Sequence, residues 1–208
     1  MSRIRILVAT RNDHKLAEIR EILDEAPVDF VGLDEVGIPE LAAEDDLESF
    51  ETFRENALAK ARFFHGRSGL PTIADDSGLC VAALDGAPGV RTRRFAPPSL
   101  VQRLGQDAAN NQHLLEQLEG VPPDRRVAHY QCAIAAVGQE GEVIVEGRVD
   151  GLIRNEPRGE GGFGYDPVFL LPAHQRTYAQ LPPEIKRRTS HRSEALRKLS
   201  GWLEQQAG

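Results

Sequence analysis

Two adjacent carboxylates follow an apolar run in Ala74-Asp75-Asp76-Ser77-Gly78. Burying them is costly unless a cation or a hydrogen-bond network meets them. Successive side chains of a strand point to opposite faces, so one aspartate faces a site while the other braces the turn. A hard cation such as Mg²⁺ takes oxygen ligands and leaves room for substrate phosphates. A carboxylate beside it can orient and deprotonate an attacking water. Taken alone, the same residues also read as a plain Asp-Ser-Gly turn.

Three further segments carry possible chemistry. Thr10-Arg11-Asn12-Asp13-His14-Lys15 sits at a strand-to-helix turn. Backbone N–H groups at a helix start favour anions, and a lysine one turn in reaches a phosphate. Thr10 and Asn12 add neutral donors; the alternative is a helix cap with surface charges. The G-x-x-x-x-G-K-[ST] phosphate loop is absent. Gly159 to Pro167 matches G-x-G-x-x-G, but no helix starts through Tyr165-Asp166-Pro167, which excludes a dinucleotide fingerprint. A glycine-rich loop with Phe163 and Tyr165 suits a flat heterocycle, the alternative being a connecting loop with core aromatics. Lys186 to Arg192 is the densest cationic stretch. It reads either as a solvated loop before the last helix or as a source of phosphate and base-edge contacts from Lys186, His191 and Arg192.

The elements that must position these groups alternate. Ile4–Ala9 reads as a buried strand, followed by a helix from His14 carrying Leu16, Ile19, Ile22 and Leu23. A second strand spans Asp29–Leu33. Phe50, Phe53, Ala57, Ala61 and Phe64 mark one face of the next helix. Thr72–Leu84 is strand-like, interrupted at Asp75–Gly78, and Gly86–Pro98 reads as a structured loop. A helix over Asp107–Leu118, strands at Ala128–Val137 and Glu142–Val149, and one amphipathic helix over Arg192–Gln205 complete the pattern. Strands alternating with helices, plus one hairpin-like pair, predict an α/β class with a mixed sheet.

With 25 basic and 32 acidic residues the formal charge is -7, the wrong sign for a nucleic-acid coat. Cys80 and Cys132 lie in small apolar contexts without metal spacing and read as core residues. The first ten residues read as a strand, not a leader peptide, and no segment reaches membrane-span length, so the expected location is the cytoplasm.

Six segments, in order, resemble the inosine triphosphate pyrophosphatase (Ham1-like) family, specifically its bacterial non-canonical purine NTP pyrophosphatases of the dITP/XTP type. They are Val8-Ala9-Thr10-x-Asn12-x-x-Lys15, Phe53-x-Glu55-Asn56-Ala57-x-x-Lys60-Ala61, Ala74-Asp75-Asp76-Ser77-Gly78-Leu79, Gly86-x-Pro88-Gly89-Val90, Gly161-Gly162-Phe163-Gly164-Tyr165-Asp166-Pro167-x-Phe169 and Ser190-His191-Arg192-x-x-Ala195-Leu196. The resemblance runs from Ile6 to about Leu199.

It implies a single domain over residues 1–208 with an elongated mixed sheet flanked by helices, two lobes and a central active-site cleft. It also implies a homodimer that needs Mg²⁺ and cleaves ITP, dITP or XTP to monophosphate and pyrophosphate. By the same resemblance Thr10, Arg11, Asn12, Asp13, His14, Lys15 and Lys60 hold the triphosphate, and Ser77 touches substrate. Asp76 is general base and metal ligand, with Asp75 supporting it. Phe163, Gly164, Tyr165, Asp166, Lys186, His191 and Arg192 enclose base and sugar. The acidic residue that completes the metal site is taken as Glu48, with Glu44 and Glu51 as alternatives, because Glu48-Ser49-Phe50-Glu51-Thr52 departs from the family's usual pattern there. The alternative enzyme is a Maf-like pyrophosphatase acting on modified pyrimidine or 7-methylguanine triphosphates.

Overall fold

The computed structural model describes residues 3–207, the side chains of Asp45 and Ala207 excepted. The elements run β1 (Ile4–Val8), α1 (Asp13–Ile22), β2 (Val28–Gly32), α2 (Phe53–Ser68), β3 (Thr72–Val81), α3 (Pro98–Leu104) and α4 (Gln106–Gln117). There follow β4 (Val127–Gly138), β5 (Gly141–Ile153), β6 (Phe169–Leu171), β7 (Arg176–Thr177), α5 (Pro183–Thr189), α6 (His191–Lys198) and α7 (Ser200–Ala207). The strands form one seven-stranded sheet in the order β2-β1-β3-β4-β5-β6-β7. β1 is parallel to β2 and β3, while β6 is antiparallel to β5 and β7, so the sheet is mixed and the class α/β, as expected. The chain divides into two compact units: residues 1–76, 132–147 and 191–208 form the first, and 77–131 with 148–190 the second. Met1, Ser2 and Gly208 of the expected 1–208 domain lie outside the described residues.

In the first unit β1 is buried between two parallel neighbours, and Ile6, Leu7 and Val8 are fully covered, the reason this strand reads as a continuous apolar run. Asn12 starts α1 as its N-cap, its side-chain oxygen accepting from the N–H groups of His14 at 3.0 Å and Lys15 at 3.3 Å. Thr52 caps α2 in the same way, and Gly69 ends it in the left-handed conformation. The buried face of α2 is Phe53, Asn56, Ala57, Lys60, Ala61 and Phe64, steps of three and four residues along one stripe. Two polar side chains therefore ride on an apolar face. The core of this unit joins Ile6, Val8, Ile19, Ile73, Ile134, Leu196 and Leu203. α6 lies so close to β5 that a Cβ at Gly147 would come within 2.0 Å of the His191 carbonyl oxygen and 2.6 Å of the Ala195 nitrogen. Only glycine fits there.

The second unit has its own core of Leu79, Val81, Leu114, Leu118, Tyr130, Val168, Phe169 and Tyr178. Here α4 packs its Leu114 stripe, and the Phe169 and Tyr178 rings stack at 5.5 Å.

Several expectations are corrected. β3 runs unbroken through Asp75–Gly78 as extended backbone, because the carboxylates find cations on either side and no turn is needed to expose them. α2 starts at Phe53 behind the Thr52 cap, leaving Phe50 exposed. Of the Lys186–Arg192 stretch, for which a solvated loop is one reading, Lys186–Thr189 belongs to helix α5: Pro183 opens it, Glu184 sits in its first turn, and the extended Ser190 closes it. Within the expected loop Gly86–Pro98, Gly89–Arg94 coils into 3₁₀ turns. The terminal helix is two, α6 and α7, meeting at Leu199, and β5 continues to Ile153.

Gly147→Ala is expected to lower stability by about 1–3 kcal/mol through forced backbone movement. Urea unfolding should show a lower midpoint at unchanged slope; an unchanged midpoint would mean that α6 has room to retreat.

Candidate active site

The centre of the first unit is Asp75. It is 2% exposed, and its Oδ2 accepts from Arg192 Nη2 at 3.0 Å and Nε at 3.3 Å, while Lys15 Nζ stands 3.2 Å away. Arg192, itself 1% exposed, also donates through Nη1 to the Glu18 carboxylate. Burial opposes the charge of Asp75, but Lys15, Arg192 and Lys60 outweigh it and hold this carboxyl well below the usual carboxylate range. Burial likewise opposes the Arg192 charge, and Asp75 and Glu18 outweigh it. Three elements distant in sequence, α1, β3 and α6, thus meet on a single carboxylate.

One residue on, the alternation of β3 sends Asp76 toward α2. Asn56 Nδ2 donates to Asp76 Oδ2 at 2.9 Å, and Asn56 is itself set by accepting from the Phe50 N–H at 2.9 Å. Lys60 Nζ faces Asp76 Oδ1 at 3.8 Å, donates to Glu48 Oε1 at 2.7 Å and to the Asp75 carbonyl oxygen at 2.7 Å. Burial raises the proton affinity of Asp76 by more than Lys60 and Lys15 lower it. Glu48 is lowered, chiefly by Lys60. For Lys60 burial opposes the charge, and Asp76 with Glu48 more than restores it. Asp76 is therefore a more basic carboxylate than its neighbour, beside a lysine that stays charged.

The structure sorts the Thr10–Lys15 segment. Lys15 joins the Asp75 cluster. The Asn12 side chain is committed to the helix cap, and Thr10 Oγ1 accepts from the Asn12 N–H at 3.1 Å, so the N–H groups of His14 and Lys15 are taken up internally. Asp13 and His14 are exposed. Arg11 is not brought to the cluster: it donates to Glu44 at 2.8 Å, to Asp34 at 3.1 Å and to the carbonyls of Ile38 and Pro39. Of the three upstream acids, Glu48 faces Lys60, Glu44 faces Arg11, and Glu51 is exposed. His191 is buried at the start of α6.

In the second unit the glycine-rich loop folds back on Asp166. Asp166 Oδ2 accepts from the Phe163 N–H at 2.9 Å and from Lys186 Nζ at 2.6 Å, and the same ammonium lies 4.4 Å from the centre of the Phe163 ring. Gly162 has φ of 75°, and a Cβ there would strike the Asp166 carboxylate at 2.0 Å, so the tight loop requires glycine. Phe163 is half-buried. Tyr165 is a core residue, 3% exposed, with its hydroxyl donating to the Thr92 carbonyl at 2.8 Å; it does not flank an open face as Phe163 does. Ser77, at the start of this unit, is buried.

Reading the site residues from sequence missed Asn56 and Glu18. The first signals itself by sharing the buried α2 stripe with Lys60 at i, i+4; the second lies one turn beyond Lys15 on α1. Among the described residues no group of three or more His, Cys, Asp or Glu side chains is placed to hold a metal ion. Mg²⁺ needs fewer, since it retains waters and binds through one or two carboxylates plus substrate phosphates. Glu48 and Asp76, both turned to Lys60, supply oxygen donors of that kind.

Arg192→Met leaves Asp75 short of its buried partner and is expected to cost about 3–5 kcal/mol. Arg192→Lys should recover little, because one ammonium cannot fork between the Asp75 and Glu18 carboxylates. Unfolding midpoints of the two variants, compared with Lys15→Met, check this; equal stability of all three would remove Arg192 from the centre of the network.

Residues 6–202 match the Ham1 family. A dITP/XTP pyrophosphatase of Mycolicibacterium paratuberculosis is 50% identical over 201 residues, covering 96% of this chain and 95% of that one. One from Coxiella burnetii is 42% identical over 200 residues, covering 95% of each chain. The solved structure of a Ham1 protein from Coxiella burnetii superposes with a TM-score of 0.83 at 41% identity, covering 97% of this chain and 99% of that one. With the lysine–carboxylate cluster, the glycine-rich loop and the near-complete coverage in agreement, the chain belongs to the Ham1 family.

Proposed function

We infer that this protein hydrolyses non-canonical purine nucleoside triphosphates (ITP, dITP and XTP) to the monophosphate and pyrophosphate. The single observation that carries the reading is the pair of aspartates on β3, one neutralised by Lys15 and Arg192, the other made basic by burial beside Lys60. The names of the relatives, dITP/XTP pyrophosphatases, support the same reaction and substrate class.

In this mechanism Lys15 and Lys60 draw the phosphate chain, whose charge a protein of net -7 admits only through local cations. We assign Thr10, Asn12, Asp13 and His14 to the phosphate chain with Lys15, and Ser77, next after the reactive carboxylate, to the substrate. Asn56 fixes one oxygen of Asp76 and Lys60 faces the other, which orients the carboxylate to take the proton of an attacking water. Water adds to phosphorus, the α–β anhydride bond breaks, and its electron pair leaves on pyrophosphate. Glu48 and Asp76 are the residues that would hold Mg²⁺, which when bound neutralises charge on the phosphates.

In the second unit Phe163 offers its ring to the purine, with Lys186 and Asp166 beside it. Donors set for a 6-keto oxygen are left unpaired by the 6-amino group of adenine, which is the physical basis of selectivity. Among the described residues no helix is long and apolar enough to cross a membrane. We further propose that single-domain chains pair as a homodimer and act in the cytoplasm, with light scattering at twice 22.9 kDa as the check on the dimer.

Pyrophosphate release should be fast on ITP, dITP and XTP, slow on ATP and GTP, and abolished by EDTA. UTP or 7-methyl-GTP outrunning ITP overturns the substrate assignment. Asp76→Asn is expected to lower kcat about 10²–10⁴-fold while nucleotide binding persists. Lys15→Ala should mainly raise KM, and an unchanged KM would take Lys15 out of the phosphate site.

A further inference from the structure

We propose that Asp107 and Asn111, on the first turns of α4, are positioning residues for the nucleobase: they clamp the backbone of Gly164 and thereby set the ring of Phe163. Asp107 Oδ2 accepts from the Gly164 N–H at 2.7 Å, and Asn111 Nδ2 donates to the Gly164 carbonyl oxygen at 2.8 Å. The same Nδ2 donates to the Asp107 carbonyl oxygen at 2.9 Å. Both oxygens facing it are carbonyls, so the amide is oriented without ambiguity. One helix thus holds both backbone polar groups of the residue that follows Phe163.

The clamp completes a set of anchors around Phe163. Its own N–H is held by Asp166 at 2.9 Å, the next N–H by Asp107, and Tyr165 beyond is tied to Thr92 at 2.8 Å. These bonds matter because packing does not back the loop on its α4 side. A cavity of about 850 Å³ opens there, with Asp107, Asn111, Leu115, Gly162, Phe163 and Gly164 among its walls. With the clamp cut, the ring has space to swing away from Lys186. The inference rests on Phe163 being the base-stacking surface.

Steady-state kinetics on the full chain separate the possibilities. Asp107→Ala and the near-isosteric Asn111→Asp, which loses the donor, should each raise KM for ITP by about 3- to 10-fold. Over the same variants kcat should stay within about 2-fold, the pattern of lost uniform binding. The inhibition constant of inorganic tripolyphosphate, which has no base to place, should not move. Asp107→Asn keeps an acceptor oxygen and should behave as the parent. In a Phe163→Ala background Asn111→Asp should add nothing, because both act through the same ring. KM and the tripolyphosphate constant rising together would overturn the proposal, since that marks general disruption. Clamp variants without effect on KM, where Phe163→Ala raises it, would overturn the clamp and leave stacking intact. Phe163→Ala without effect would instead overturn the base-stacking reading itself, and the clamp with it.

Discussion

A carboxylate sealed from water between a lysine and an arginine is what the first unit is arranged around. Asp75 alone at that depth would be untenable as an ion, because the interior cannot replace its hydration. Lys15 and Arg192 make it possible, and they arrive from α1 and α6, so the ion forms only when both helices are seated on β3. Glu18 then balances the second edge of the guanidinium. The close approach of α6 to β5 at Gly147 serves the same end, since His191 and Arg192 open that helix. Folding of this unit and the placing of its lysine are therefore one event.

The neighbouring carboxylate shows how a single residue step along a strand changes chemistry. Asp75 is held ionised by Lys15, Arg192 and Lys60; Asp76 faces Lys60 and a neutral amide, and burial dominates its proton affinity. Lys60 links the two by donating to the Asp75 carbonyl while facing the Asp76 carboxylate. It also draws in Glu48, so that two oxygen donors gather around one ammonium. The cluster is not a basic surface: Lys15, Lys60 and Arg192 stand against the carboxylates of Glu18, Glu48, Asp75 and Asp76, so each ammonium is held in place by its counter-ions.

The second unit solves a different problem, holding a flat ring in place on a loop whose α4 side opens to a cavity. It does so with hydrogen bonds to backbone: Asp166 and Asp107 accept from successive N–H groups, and Asn111 takes the carbonyl that follows. Glycines allow the chain to pass close to these side chains, as at Gly162. Lys186 ties the loop to α5 through Asp166 and its ammonium over Phe163.

Local patterning is legible in the order of residues alone. The apolar run of β1, the three-and-four spacing of α2 and the glycine density around Phe163 required a buried strand, an amphipathic helix and a tight loop, and the order of motifs indicated the family. Tertiary structure decided which charged groups meet. Arg11 and Lys15 lie four residues apart on one segment, yet one turns to Glu44 and the other to Asp75. Arg192, read from sequence as a base-edge contact, is a buried partner of Asp75, and Lys186–Thr189 of the stretch that also read as a solvated loop belongs to a helix. Asn56, Glu18, Asp107 and Asn111 received no site role because an ordinary polar residue on a helix has no signature until its partner is known. The physical reason is range: hydrophobic periodicity is read within a few turns of chain, whereas the pairing of ions and hydrogen bonds is settled between residues more than a hundred apart, as Asp75 and Arg192 are.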